Sequence, residues 1–209
     1  MRLSEDLVRV EKRIPDVSTK SDCAIKKLSR IPLMLVFLAL PVVCPMRATG
    51  QSDVEEYRLK AAFLFHFSQF VDWPSNSSTD GTLIVCVAGE DPFQGDLERT
   101  VQGKAVHGKS IQVQHIRQAH ESKRCQLLFV GSNESGSVQE LLAAVRDMPV
   151  LTVGESEDFL RQGGIIRFCM EDRKVRFEVN EDASRRAHLS VSSRLLLLAK
   201  NVIGQNGAK

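Results

Sequence analysis

The sequence predicts an α/β fold: a three-layer sandwich with a mostly parallel sheet, helices on both faces and a C-terminal β-hairpin. Three observations predict it. Thr82–Ala88 (TLIVCVA) and residues 126–130 (QLLFV) are continuous apolar runs of strand length, the pattern of strands covered on both faces. Helix-patterned segments separate such runs, and that alternation builds parallel or mixed sheets flanked by helices. Near the end, β-rich residues 165–170 and 175–179 flank the charged turn Glu171-Asp172-Arg173-Lys174, which reads as a hairpin.

Each element has its own local reason. Asp53, with Glu56 three residues on, opens a helix as an Asp-led capping box. The helix runs to about Val71 and stops before Trp73-Pro74, because a residue preceding proline avoids the α region. It carries Phe63, Phe65, Phe67 and Phe70, four of the ten Phe in the chain. The apolar positions of residues 61–71 cover nearly the whole circumference, so this helix is buried on two sides or meets a partner. After the polar residues 76–81 and the first strand, Asp91 caps a helix reaching about Gln102, with Pro92 at its first position. Residues 111–116 alternate as a strand edge does. Residues 126–130 form the second buried strand, 138–146 a helix and 150–153 a short strand. A short acidic helix over residues 155–161 stops at Gly163-Gly164. Asn180 then caps a helix after the hairpin, and a second helix ends the chain.

The first fifty residues read as a leader and signal peptide rather than fold. Lys26, Lys27 and Arg30 precede the apolar residues 31–43, and Ala48-Thr49-Gly50 suits cleavage after Gly50. The remaining residues 51–209 suit a single domain with a real core. The whole chain has a formal net charge of +2, but residues 51–209 carry 19 Lys and Arg against 21 Asp and Glu. No basic segment stands out for nucleic acid. Cys86, Cys125 and Cys169 remain after cleavage, and in an oxidising compartment a pair should bridge. Cys86 lies in a predicted central strand and Cys125 just before another, so these two can close if the strands are neighbours. Three reduced buried cysteines is the other reading.

The chemistry-bearing residues do not assemble into a familiar site. Ser132 and Ser156 follow strands without the G-x-S-x-G pattern of a nucleophile elbow. His66, His107, His115, His120 and His188 offer no ligand pair at i, i+4, and no CxxC spacing occurs. Gly89-Glu90-Asp91 after the first strand holds one glycine and two carboxylates, which would repel phosphate. Glu155, Glu157 and Asp158, like Glu181 and Asp182, fall where first-turn carboxylates complement a helix dipole. The expectation is no catalytic residue, no metal and no cofactor. A small-molecule site near the carboxyl ends of the strands is the alternative that the architecture allows.

The order of these features resembles the YfiR family of periplasmic proteins. It is carried by the helix YRLKAAFLFHFSQFVDWP, a strand followed by GEDPF, and the closing GGIIRFCMEDRKVRFEVNEDASRRAHLSVSSRLLLLA. The resemblance implies a non-enzymatic repressor that binds the periplasmic sensing domain of an inner-membrane diguanylate cyclase and lowers cyclic di-GMP and biofilm formation. It implies a homodimer, no membrane span once the signal is removed, and a disulfide between Cys86 and Cys125. A second family bridge needs two cysteines in the closing region; only Cys169 stands there, so it is expected free. Apolar excess nominates Phe63, Phe67 and Phe70 of the first helix and Leu195, Leu197 and Leu198 of the last as the partner surface.

Overall fold

The first helix, α1 (Gly50–Phe70), lies across one face of a large mixed sheet. The computed structural model describes residues 50–75, 81–132 and 137–204. The leader read over residues 1–50 lies outside these, apart from Gly50 at the start of α1. That start places Asp53 in the first turn rather than at the cap. Leu64 and Phe67 are fully buried along one stripe of α1, with Ala61 and Ser68 beside them. Phe65, on another side, lies under the Lys104 ammonium, 4.3 Å from the ring centre. The apolar circumference of α1 is thus covered in part within this chain, with Phe63 and Phe65 half-buried.

Past α1, Val71–Asp72 forms a two-residue strand, β1. Then come β2 (Thr82–Ala88), α2 (Asp96–Val101), β3 (Ala105–Val106), β4 (Lys109–Ile116) and a 3-10 helix at Ala119–Arg124. They are followed by β5 (Leu127–Val130), α3 (Val138–Val145), β6 (Leu151–Gly154), β7 (Ile166–Glu171) and β8 (Lys174–Asn180). The chain closes with α4 (Glu181–Arg186), β9 (Ser190–Val191), α5 (Ser193–Leu198) and β10 (Asn201–Ile203).

Eight strands make one sheet in the order β10-β8-β7-β6-β5-β2-β4-β3. The run β4-β2-β5-β6-β7 is parallel throughout. Its sequence order reverses between β2 and β5, which is the flavodoxin-like doubly wound arrangement and its topological switch point. The hairpin is as expected: β8 runs antiparallel to β7, with Phe168 opposite Phe177. Side chains alternate between two cores. Cys86, Ala88, Leu128 and Val130 point to the face covered by α3, whose Val138, Leu141, Leu142 and Val145 are buried there. Phe129, Phe168 and Phe177 point to the other face. There Phe67 stacks on Phe168 at 5.6 Å and meets Phe177 edge-on at 5.0 Å, and Phe93 meets Phe129 at 4.8 Å.

Three local expectations need correction. Residues 155–161 are a chain of turns, not a helix, because Phe159 folds back between Gly154 and Gly164 and is fully buried. Asp91 does not open a long helix. Its carboxylate accepts from the backbone N–H groups of Phe93 and Gly95, closing a turn, and α2 starts only at Asp96. The last helix does not end the chain: α5 stops after six residues, and β10 follows, parallel to the edge of β8. The Asn180 cap is as expected, with its side-chain oxygen accepting from Ala183 N–H at 2.9 Å.

Candidate functional site

In a doubly wound sheet the carboxyl ends of the strands converge near the switch point, where ligands characteristically bind. Here two features occupy that end. On the α3 face lies a half-open cleft of about 370 Å³. Ala88, Ile116 and Leu141 give it an apolar floor, and the polar side chains of Arg117, His120 and Glu140 line it. On the α1 face lies a buried ionic cluster. Lys60, on the buried stripe of α1, is only 5% exposed and pairs with Glu155, which follows β6. Glu155 also accepts from Tyr57 Oη at 3.2 Å and from the Ser132 backbone N–H at 3.0 Å. Glu56 reaches the same ammonium from one turn back at 2.5 Å. The ammonium sits 4.4 Å from the centre of the Tyr57 ring.

This cluster ties α1 to the loops after β5 and β6. Burial by itself pulls Lys60 toward deprotonation and is the largest influence on it. The attraction and hydrogen bonds of Glu155 and Glu56 together outweigh it, so the Lys60 ammonium is held above its ordinary range. Burial and the adjacent Glu155 carboxylate push the Tyr57 hydroxyl up as well. All these donors and acceptors are satisfied within the cluster, as an anchoring interaction requires.

The sequence-nominated residues fall in different places. Cys86 and Cys125 form a disulfide, with Cα atoms 5.9 Å apart, beside the β2–β5 pair at the switch point. Cys169 is free and half-buried on β7, on the hairpin face where Arg167 and Glu178 pair at 2.7 Å. Burial is the leading influence raising its thiol. Phe67, Phe70 and Leu195 are buried in this chain's own core, so they offer no surface to a partner. Phe63 is half-buried against Phe168 and Phe177. Leu197 is 84% exposed and Leu198 38%, and these two carry the remaining apolar surface of the six. Glu181 and Asp182 do lie in the first turn of α4, whereas Glu155 is not a helix-start carboxylate but the buried partner of Lys60. Sequence reasoning missed Lys60. Its signal was a charge at i of the stripe that continues with Leu64 and Phe67 at i+4 and i+7.

Among the described residues no helix is long and apolar enough to cross a membrane. The strand order, the helices on both faces and the bridge at the switch point together define a disulfide-bonded, doubly wound α/β domain. The chain belongs to the YfiR/HmsC-like family, whose pattern matches residues 57–200. No curated protein matches it. Two solved structures are similar in part. One is a conserved domain protein from Vibrio cholerae, at 7% identity and TM-score 0.44, covering 58% of this chain. The other is described as the ABC domain in complex with L-Trp from Streptococcus pneumonia, at 7% identity and TM-score 0.47, covering 68% of this chain. The matches span 54% and 60% of those chains.

Proposed function

We propose that this protein is an exported, non-enzymatic regulator. Residues 1–50 serve as leader and signal peptide, and residues 51–209 act in the periplasm as one domain. That domain binds the periplasmic sensing domain of an inner-membrane diguanylate cyclase and holds it inactive, lowering cyclic di-GMP signalling and biofilm formation. The observation that carries this reading is family membership over nearly the whole domain. The Cys86–Cys125 bridge supports it, because such bonds persist in oxidising compartments. A repressor of this kind works by preferring the inactive state of its partner, and its effect is limited by that difference in affinity. The domain is proposed to act as a homodimer and to need no cofactor. Deleting the gene tests the reading: cyclic di-GMP and biofilm are expected to rise, and unchanged levels of both overturn it.

A second reading is favoured by the cleft at the strand ends. In it, a small molecule bound there controls the partner. Thermal-shift screening of metabolites tests this; stabilisation by one class, lost on Arg117→Ala, supports it, and no stabilisation counts against it.

A further inference from the structure

On the α2 side of the sheet, three potential ligand groups converge from three separate segments. Asp91 lies in the loop after β2, Glu98 on α2 and His115 near the end of β4. One ligand atom from each lies within 4.8 Å of the other two. His115 Nε2 and Glu98 Oε1 are 2.9 Å apart. Donors sharing one tetrahedral ion with bonds of about 2.0–2.1 Å sit about 3.3 Å apart, a spacing that the His115–Glu98 pair approaches.

A surface ion pair between His115 and Glu98 would explain that contact and nothing more. It leaves the other oxygen of the same carboxylate, Glu98 Oε2, buried with no hydrogen-bond partner among the described residues. Such atoms in folded proteins call for a partner. The turn that Asp91 closes also brings its carboxylate within 4.8 Å of the other two groups. Both its oxygens are oriented by backbone N–H groups, of Phe93 at 2.9 Å and Gly95 at 3.2 Å, which preorganises a ligand without using its remaining lone pairs. We propose that Asp91, Glu98 and His115 form a binding site for a divalent first-row transition ion, zinc foremost. Two carboxylates and an imidazole suit zinc, whereas calcium and magnesium take oxygen donors in larger number. Water would complete the coordination, since His115 and Glu98 open onto the surface.

Titration of the purified, disulfide-bonded chain with Co²⁺, read by visible absorbance, and with Zn²⁺, read by calorimetry, tests the site. One ion per chain is expected. His115→Ala and the isosteric Glu98→Gln should each weaken binding by about tenfold or more, the scale already seen when a group that merely orients a ligand is lost. Removing His107 and His120 together should leave binding unchanged. Circular dichroism should report the fold intact in His115→Ala, because that side chain is exposed, and Glu98→Gln keeps the test readable should it not. No binding by the unaltered chain, binding indifferent to both substitutions, or binding abolished instead by Cys169→Ser overturns the proposal.

Discussion

Lys60 brings a charge into the packed interface between α1 and the sheet, and its neighbours decide whether that is tolerable. Removing it alone strands Glu155, whose side chain is 7% exposed, without its counter-ion. Lys60→Ala is therefore expected to lower the unfolding free energy by about 3–5 kcal/mol, read by urea denaturation. The pH dependence has a definite sign. Tyr57 and Lys60 are both held above their ordinary values of 10.0 and 10.5. Their contribution is fully present below those values and is lost as pH rises through the folded-state values above them. Stability should thus fall in the alkaline range above about pH 10, and the fall should shrink in Glu155→Gln, which removes the main attraction on Lys60. Phe159 gives a second residue-scale prediction. A methyl group at Gly154 or Gly164 would overlap its ring, and at Gly164 would also approach the Phe159 carbonyl oxygen at 2.8 Å. Either glycine→Ala change is expected to destabilise by about 1–3 kcal/mol, with the thermal midpoint as the readout.

At the level of elements, the central strands were plain in the sequence because a strand covered on both faces shows an unbroken apolar run, as Thr82–Ala88 does. The hairpin was plain because four charged residues separate two β-rich runs. What stayed hidden depends on distant partners. β1 and β9 are two residues each and exist only by pairing with each other. The turns after Gly154 read as an acidic helix until Phe159 is seen filling the space that the glycines leave. The Lys60–Glu155 pair joins residues far apart in the chain, so no local pattern marks it. The Phe-rich α1 read as core more than as interface, and Phe67 and Phe70 are indeed buried. Phe67→Ala should cost about 3–5 kcal/mol, while Leu197→Ala, at an exposed position, should fall within about 0.5 kcal/mol of the parent. The bridge between β2 and the entry to β5 joins cysteines 39 positions apart in the sequence. Replacing both cysteines with alanine should lower stability by about 4 kcal/mol in the chain-entropy account.

At the scale of the whole molecule, three of the five exposed large apolar side chains among the described residues lie on α5 and β10, the other two being Val54 and Met170. Leu197 and Leu198 on α5 and Ile203 on the edge strand β10 are exposed. Charge placed on α5, as in Leu197→Glu, should leave the denaturation midpoint unchanged and weaken capture of the proposed membrane partner, read by co-purification. Equal capture would move the contact surface elsewhere. The two-stranded sheet has a consequence of another kind. Val71 pairs with Val191 and Asp72 with Ser190, and the Ser192 N–H donates to the Phe70 carbonyl, so the end of the first helix is clasped by a segment from the last tenth of the chain. A polypeptide threaded across a membrane from its N-terminus cannot fasten that clasp until almost all of it has emerged. The closing contacts join distant parts of the sequence, which slows native folding. On the proposed export route that delay is useful, since it favours a chain still unfolded while it passes through a pore.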